Sequence, residues 1–213
     1  MKKQTIFFFM IISLFVSCQD EYEKFEDLAD SKMKNKEYEG AIIEYTKAIK
    51  SNPKIANLYN ERGKAKDSLL DYQGAIEDFT KAIEVADNFP QPKNSLDFYY
   101  NNRGMARYYI SDYANAVKDF TESMRGGSIN FFNRAICKMK LTDYQGAIED
   151  FTKDIDKNGD VPSSYFYRGE IYHHLNQKDK ACSDWSKAGE LGKAEAYDKI
   201  KEFCNKVSLP PIE

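Results

Sequence analysis

The chain of 213 residues has no surplus of positive charge: 31 Lys and Arg stand against 34 Asp and Glu, for a formal net charge of −3. A phosphate-backbone partner needs a basic excess, so nucleic acid is excluded as the partner. Histidine is nearly missing, with only His173 and His174 present. Neighbours on a helix point about 100° apart, so the two cannot comfortably share one metal, and the zinc spacing HExxH is absent. There is no GxSxG elbow, no glycine-rich phosphate loop and no carboxylate pair outside a repeating pattern, which argues for a non-enzymatic chain without a cofactor. Six prolines and eleven glycines exclude collagen-like and low-complexity sequence. Long apolar runs are scarce too. The stretch from Ile6 to Val16, broken only by Ser13, covers ~16 Å as a helix, about half of a hydrocarbon core, so it does not span a membrane. The remainder, in a chain 42% hydrophobic and 31% charged, reads as one or two soluble globular domains.

The same apolar run follows Lys2 and Lys3 and precedes Ser17 and Cys18, which is the form of a secretory signal. The ending Phe15-Val16-Ser17-Cys18 resembles a bacterial lipobox, with Phe15 in place of the usual Leu. That resemblance implies a leader over 1–17, lipidation of Cys18, and anchoring to a membrane through acyl chains rather than through a helix. Gln19, Asp20, Glu21, Tyr22 and Glu23 then give an acidic start. It is similar to the signal that places lipoproteins of Bacteroidota on the outer cell surface, and it reads equally as a solvated acidic tether over 18–21. The expected address is the outer membrane, facing the periplasm or the surface.

A repeating alanine organises the rest. Ala41, Ala75, Ala116, Ala147 and Ala181 are separated by 34, 41, 31 and 34 residues, a period that marks a repeat architecture. Four residues after each stands an aromatic: Tyr45, Phe79, Phe120, Phe151 or Trp185. Twelve before stands a small residue, Ala29, Gly63, Gly104, Ala135 or Gly169, and sixteen before another aromatic, Phe25, Tyr59, Tyr100, Phe131 or Tyr165. Small residues admit a second helix closely, and the aromatics fill the space around them. Each copy reads as two helices of roughly twelve to fourteen residues, with Asp71, Asp112 and Asp143 placed to cap the second.

This pattern, quoted as YNERGKAKDSLLDYQGAIEDFTKAI, resembles the tetratricopeptide repeat over residues 22–191. The resemblance implies an all-α, right-handed α-solenoid of about five helix pairs whose first helices line a concave groove. Residues 192–213 read as a capping helix and tail, with Ala196, Ile200 and Phe203 on one face. Pro90 and Pro92 account for the long second spacing, and Gly126-Gly127 for the tight exit of the third copy.

Within the repeats, Arg62, Arg103, Arg134 and Arg168 recur together with Asp78, Asp119, Asp150 and Asp184. The first copy loses both features at once, with Leu28 and Glu44. Concerted presence and loss points to pairing between the two sets rather than to a ligand. The stretch from Asp154 to Asp160 opens like a calcium loop, but Tyr165 stands where a bidentate Glu is required, and the segment is read as a helix exit.

The family's concave positions, carried over, give Glu23, Glu26, Asp27 and Asp30, then Asn57, Asn60, Glu61 and Lys64, then Phe98, Asn101, Asn102, Met105 and Tyr109. Ile129, Phe132, Asn133 and Ile136 follow, then Phe166, Tyr167, Glu170 and His174. The acidic start and aromatic end imply an extended or helical peptide with a basic end and an apolar end, held at Asn102 and Asn133 by bidentate hydrogen bonds; packing between repeats accounts for the aromatics equally well. Glu26 and Asp30 stand where a carboxylate-gripping member of the family has Lys and Asn. The function implied is a non-enzymatic protein- or peptide-binding scaffold, with a structural subunit of an envelope assembly machine as the alternative.

Four cysteines remain to be placed. With Cys18 lipidated, three are left, and Cys182 and Cys204 lie near the far ends of two helices that fold back at residues 191–193. They are expected to form a disulfide. Cys137, among Ile136, Met139 and Leu141, is then the odd, buried thiol.

Overall fold

The computed structural model describes residues 21–89, 95–126, 129–158 and 162–204. The leader, Cys18, the prolines at 90 and 92, Gly127, Gly159, Asp160 and the tail from 205 lie outside them. Within the described residues there are helices and no strands. They are α1 (21–34), α2 (Tyr38–Ser51), α3 (Ala56–Ser68), α4 (Tyr72–Asn88), α5 (Ser95–Tyr109), α6 (Tyr113–Ser123), α7 (Phe131–Lys140), α8 (Tyr144–Asn158), α9 (Pro162–His174), α10 (Lys178–Glu190) and α11 (Glu195–Lys199). Glu21, assigned above to the tether, already lies in α1. The helices fall into two compact units divided between Ser128 and Ile129. The first holds the pairs α1/α2, α3/α4 and α5/α6; the second holds α7/α8, α9/α10 and α11. None of the described helices is long and apolar enough to cross a membrane.

The repeat positions explain the pairing. Tyr45, Phe79, Phe120, Phe151 and Trp185 are all buried, as is every anchor alanine. In three of the pairs the ring lies where a glycine leaves room. A Cβ on Gly63 would stand 2.7 Å from the Phe79 ring, one on Gly104 2.9 Å from Phe120, and one on Gly169 2.8 Å from Trp185. The second helices start on capped amides. Asp71 accepts from the Gly74 N–H at 3.0 Å, Asp112 from Asn115 at 3.4 Å and Asp143 from Gly146 at 3.0 Å.

The turns inside the pairs were not foreseen. Lys36, Leu70, Ser111, Thr142 and Asn176 all have φ between 57° and 63°, the left-handed conformation that ends a helix in a Schellman turn. Paired hydrogen bonds close each turn: Leu70 N–H to Asp67 C=O with Asp71 N–H to Lys66 C=O, and likewise Thr142 to Met139 with Asp143 to Lys138. The third pair leaves by a 3₁₀ turn, Met124–Gly126.

Gly192, at φ 97°, turns the chain; α11 then runs only five residues before widening into a π-helical turn, Ile200–Cys204. Ala196 is buried against Ala181, Trp185 and Ala188, with Phe203 and Ile200 packed beside them.

Candidate functional site

The repeated arginines and aspartates meet inside each pair. The guanidinium of Arg62 donates to both oxygens of Asp78 at 2.9 and 2.6 Å, Arg103 to Asp119 at 3.0 and 2.8 Å, Arg134 to Asp150 at 2.7 and 2.7 Å, and Arg168 to Asp184 at 2.8 and 2.8 Å. This fork geometry suits a carboxylate removed from water. Each arginine also lies over the aromatic three residues before it, Tyr59, Tyr100, Phe131 or Tyr165, at 5.3–5.8 Å, which gives that aromatic row its role.

Arg62, Arg103 and Arg168 reach back to the preceding pair as well, donating to Thr46, Thr80 and Thr152. A second cation, four residues after the arginine, joins three of the aspartates: Lys66, Arg107 and Lys138. Sequence reasoning missed this row, although its regular offset was visible. At Asp150 burial pushes the carboxyl up, but hydrogen bonds from Arg134 and Lys138 outweigh it and hold the group below its ordinary range. The charged set is therefore a frame that joins helices.

In the first unit the concave positions come together. Asn57, Asn60, Glu61, Lys64, Phe98, Tyr99 and Asn102 line a hollow of about 380 Å³. Its polar floor is a chain of bonds. Asn102 Nδ2 donates to Asn60 Oδ1 at 2.9 Å, Asn60 Nδ2 to Glu61 Oε1 at 3.0 Å, and Lys64 Nζ to Glu61 Oε2 at 2.7 Å. The Asn102–Asn60 bond ties α5 to α3. Phe98 stands at the rim, 62% exposed.

Glu26 is raised above its ordinary value, first by burial and then by the charge of Asp30, partly opposed by the Asn57 hydrogen bond. Asp30 accepts from the Tyr45 hydroxyl at 2.6 Å, and Asp27 is exposed. Asn101 donates to Asn102 at 3.5 Å, and Met105 is half-buried beside them. Tyr109, half exposed at the end of α5, stacks on Tyr72 at 4.9 Å rather than lining this hollow.

In the second unit the concave positions are mostly spent on packing. Phe132 meets Phe151 at 5.8 Å and Tyr167 at 6.0 Å. His174 lies on Tyr144 at 4.7 Å, repeating the Tyr109 contact at the last residue of its helix. Phe166 touches Tyr167 and carries Lys193 over its ring, while Glu170 pairs with Lys199 of α11 at 2.9 Å, so the cap reaches both. Asn133 makes a long bond to Asn130, 3.5 Å, in its own segment.

Asp154 accepts from Ser164 at 2.6 Å and lies on α8, committed to the helix rather than to a loop. Among the described residues no cluster of His, Cys, Asp and Glu is arranged to hold a metal ion. Cys182 and Cys204 are joined, with Cα atoms 5.8 Å apart; Cys137 is free and buried, and burial pushes its thiol up to about 12.

The tetratricopeptide repeat model matches the sequence twice, over residues 26–55 and 56–89. Among functionally curated proteins, none matches. Solved structures are similar over nearly the whole chain. The MamA protein has a TM-score of 0.73 at 19% identity, covering 91% of this chain and all of that one. YrrB, described as a tetratricopeptide-repeat protein with an unusual peptide-binding site, has a TM-score of 0.72 at 15% identity, covering 88% and 97%. The pilF protein of Pseudomonas aeruginosa has a TM-score of 0.66 at 14% identity, covering 90% and 95%. Residues 26–89 are thus tetratricopeptide repeats, and the chain as a whole has the all-α solenoid fold of proteins built from them.

Proposed function

We propose that the chain is a protein- or peptide-binding scaffold, tethered to a bacterial envelope membrane through a lipidated Cys18, and that it does no chemistry of its own. The hollow of the first unit carries this reading. It presents a polar floor already fixed by its own hydrogen bonds, so little ordering is required on binding, beside one large exposed ring, the pairing of rim aromatic and fixed polar groups found at binding hot spots. Acidic Asp27 and Glu23 on the neighbouring helix favour a segment with a basic end. The peptide-binding site in the description of YrrB supports such a use of this fold, and the Cys182–Cys204 bond suits an oxidising compartment such as the periplasm or cell surface.

The test is Phe98→Asp. It should reduce partner capture at least tenfold while the helical circular dichroism stays unchanged; unaltered capture refutes the site. Labelling with a palmitate analogue tests the tether. The signal should vanish in Cys18→Ser, and a mature chain without lipid refutes the anchor.

A second reading is a structural subunit of an outer-membrane-protein or pilus assembly machine. It is favoured by the exposed apolar side chains Leu69, Leu70 and Ile110 at the turns of the first unit, which do not line the hollow. Under that reading Leu70→Asp, rather than Phe98→Asp, removes the partner.

A further inference from the structure

The four Arg–Asp pairs are not equivalent. Asp78, Asp119 and Asp150 each carry a second cation, at 2.9, 2.6 and 2.8 Å. Where that cation is a lysine it also donates to a carbonyl at the amino end of the second helix, Lys66 to Gly74 at 3.3 Å and Lys138 to Gly146 at 3.4 Å. In the fifth pair Tyr172 stands at this place. Among the described residues Asp184 has an ion pair with Arg168 and no second cation, and its side chain is 9% exposed where the other three are 4% or less.

Beside it opens a hollow of about 320 Å³, lined by Arg168, Tyr172, Asp179, Lys180, Ser183 and Asp184. Asp179 adds a carboxylate where the second, third and fourth pairs have Gln73, Ala114 and Gln145. Lys180 leans over the Tyr172 ring at 5.2 Å, and among the described residues no ion pair joins it to Asp184.

We propose that this hollow receives the ammonium group of a lysine side chain from a protein partner, which completes from outside the two-cation arrangement that three other pairs complete from within. Asp184, which lacks the second cation of the other three pairs, supplies the charge, and Asp179 a second acceptor. The competing occupant is an anion, held by Arg168 and Lys180 at the amino end of α10. The site lies in the second unit and its chemistry stands apart from the hollow around Phe98, so failure of one leaves the other intact.

Amide NMR spectra of the full chain test it by titration with Nα-acetyl-lysine methylamide and, separately, with inorganic phosphate. The lysine probe should give saturable shifts at Asp179, Lys180, Ser183 and Asp184 that phosphate does not. In Tyr172→Lys the introduced ammonium occupies the place itself. Saturation should be lost. Asp179→Asn, at the exposed edge, leaves the Arg168–Asp184 pair untouched and should weaken the probe several-fold. Absent saturation, a response to phosphate in its place, or undiminished binding in both variants overturns the proposal.

Discussion

Gly104→Ala sets two effects against each other whose sizes are known. Alanine is favoured over glycine in a helix interior by about 1 kcal/mol. The added methyl, however, would lie 2.9, 3.1 and 3.2 Å from three carbons of the Phe120 ring. That ring is fully buried and rigid, so α5 and α6 must move apart or the ring must leave its rotamer, at about 1–3 kcal/mol. The net loss is about 0–2 kcal/mol, or a fall in melting temperature of up to a few degrees. Gly40→Ala is the control: its Cβ would meet only the flexible Lys32 side chain, at 3.1 Å, so the variant should be neutral or slightly stabilised. Thermal and urea unfolding followed by circular dichroism measures both. If Gly104→Ala melts higher than the parent, helix propensity outweighs packing, and the reading of the small-residue row as the place of closest helix approach is wrong.

Thr142 is β-branched and sits at φ 61°, so Thr142→Gly should stabilise by about 0.5–1 kcal/mol as left-handed strain is relieved; a lower urea midpoint contradicts the Schellman reading. Burial and Asp30 raise the folded-state value of Glu26 above its unfolded one. The folded state therefore gains stability as pH falls from neutral toward the unfolded value near 4.3. Glu26→Gln should be the more stable at pH 7, with the gap closing near pH 4, and a gap that is constant with pH refutes this. With Cys18 lipidated or replaced, denaturing non-reducing alkylation should count one thiol, Cys137, which stays unreactive at pH 8 while folded. Three thiols in material from the native host would remove the 22-residue staple, worth ~3 kcal/mol.

Features legible in the sequence were those that repeat with a chemical partner. The arginine and aspartate rows could be paired because they appear and vanish together, and Asp71, Asp112 and Asp143 announce caps because the preceding turn fixes their place. The turns themselves were hidden. Glycine normally marks a left-handed helix end, and here Lys36, Leu70, Ser111, Thr142 and Asn176 adopt it under the constraint of the pair. The concave surface was half legible for a related reason. Offset alone puts Tyr109, Phe132 and His174 on the first helices, but whether a ring faces outward or lies on Tyr72, Tyr167 or Tyr144 depends on the neighbouring pair. The fifth-pair hollow depends on a missing residue type, Tyr172 for Lys, which acquires meaning only when the other pairs are seen closed.

Photo-crosslinking in cells that make the protein tests the central claim most directly. A photoreactive residue in place of Phe98, at the rim of the first-unit hollow, should give a discrete protein adduct that disappears when Asn102→Ala breaks the polar floor; the same residue in place of exposed Glu149 on α8 should not give it. No adduct from position 98, or identical adducts from both positions, would contradict the account of the hollow as the place where a protein partner binds.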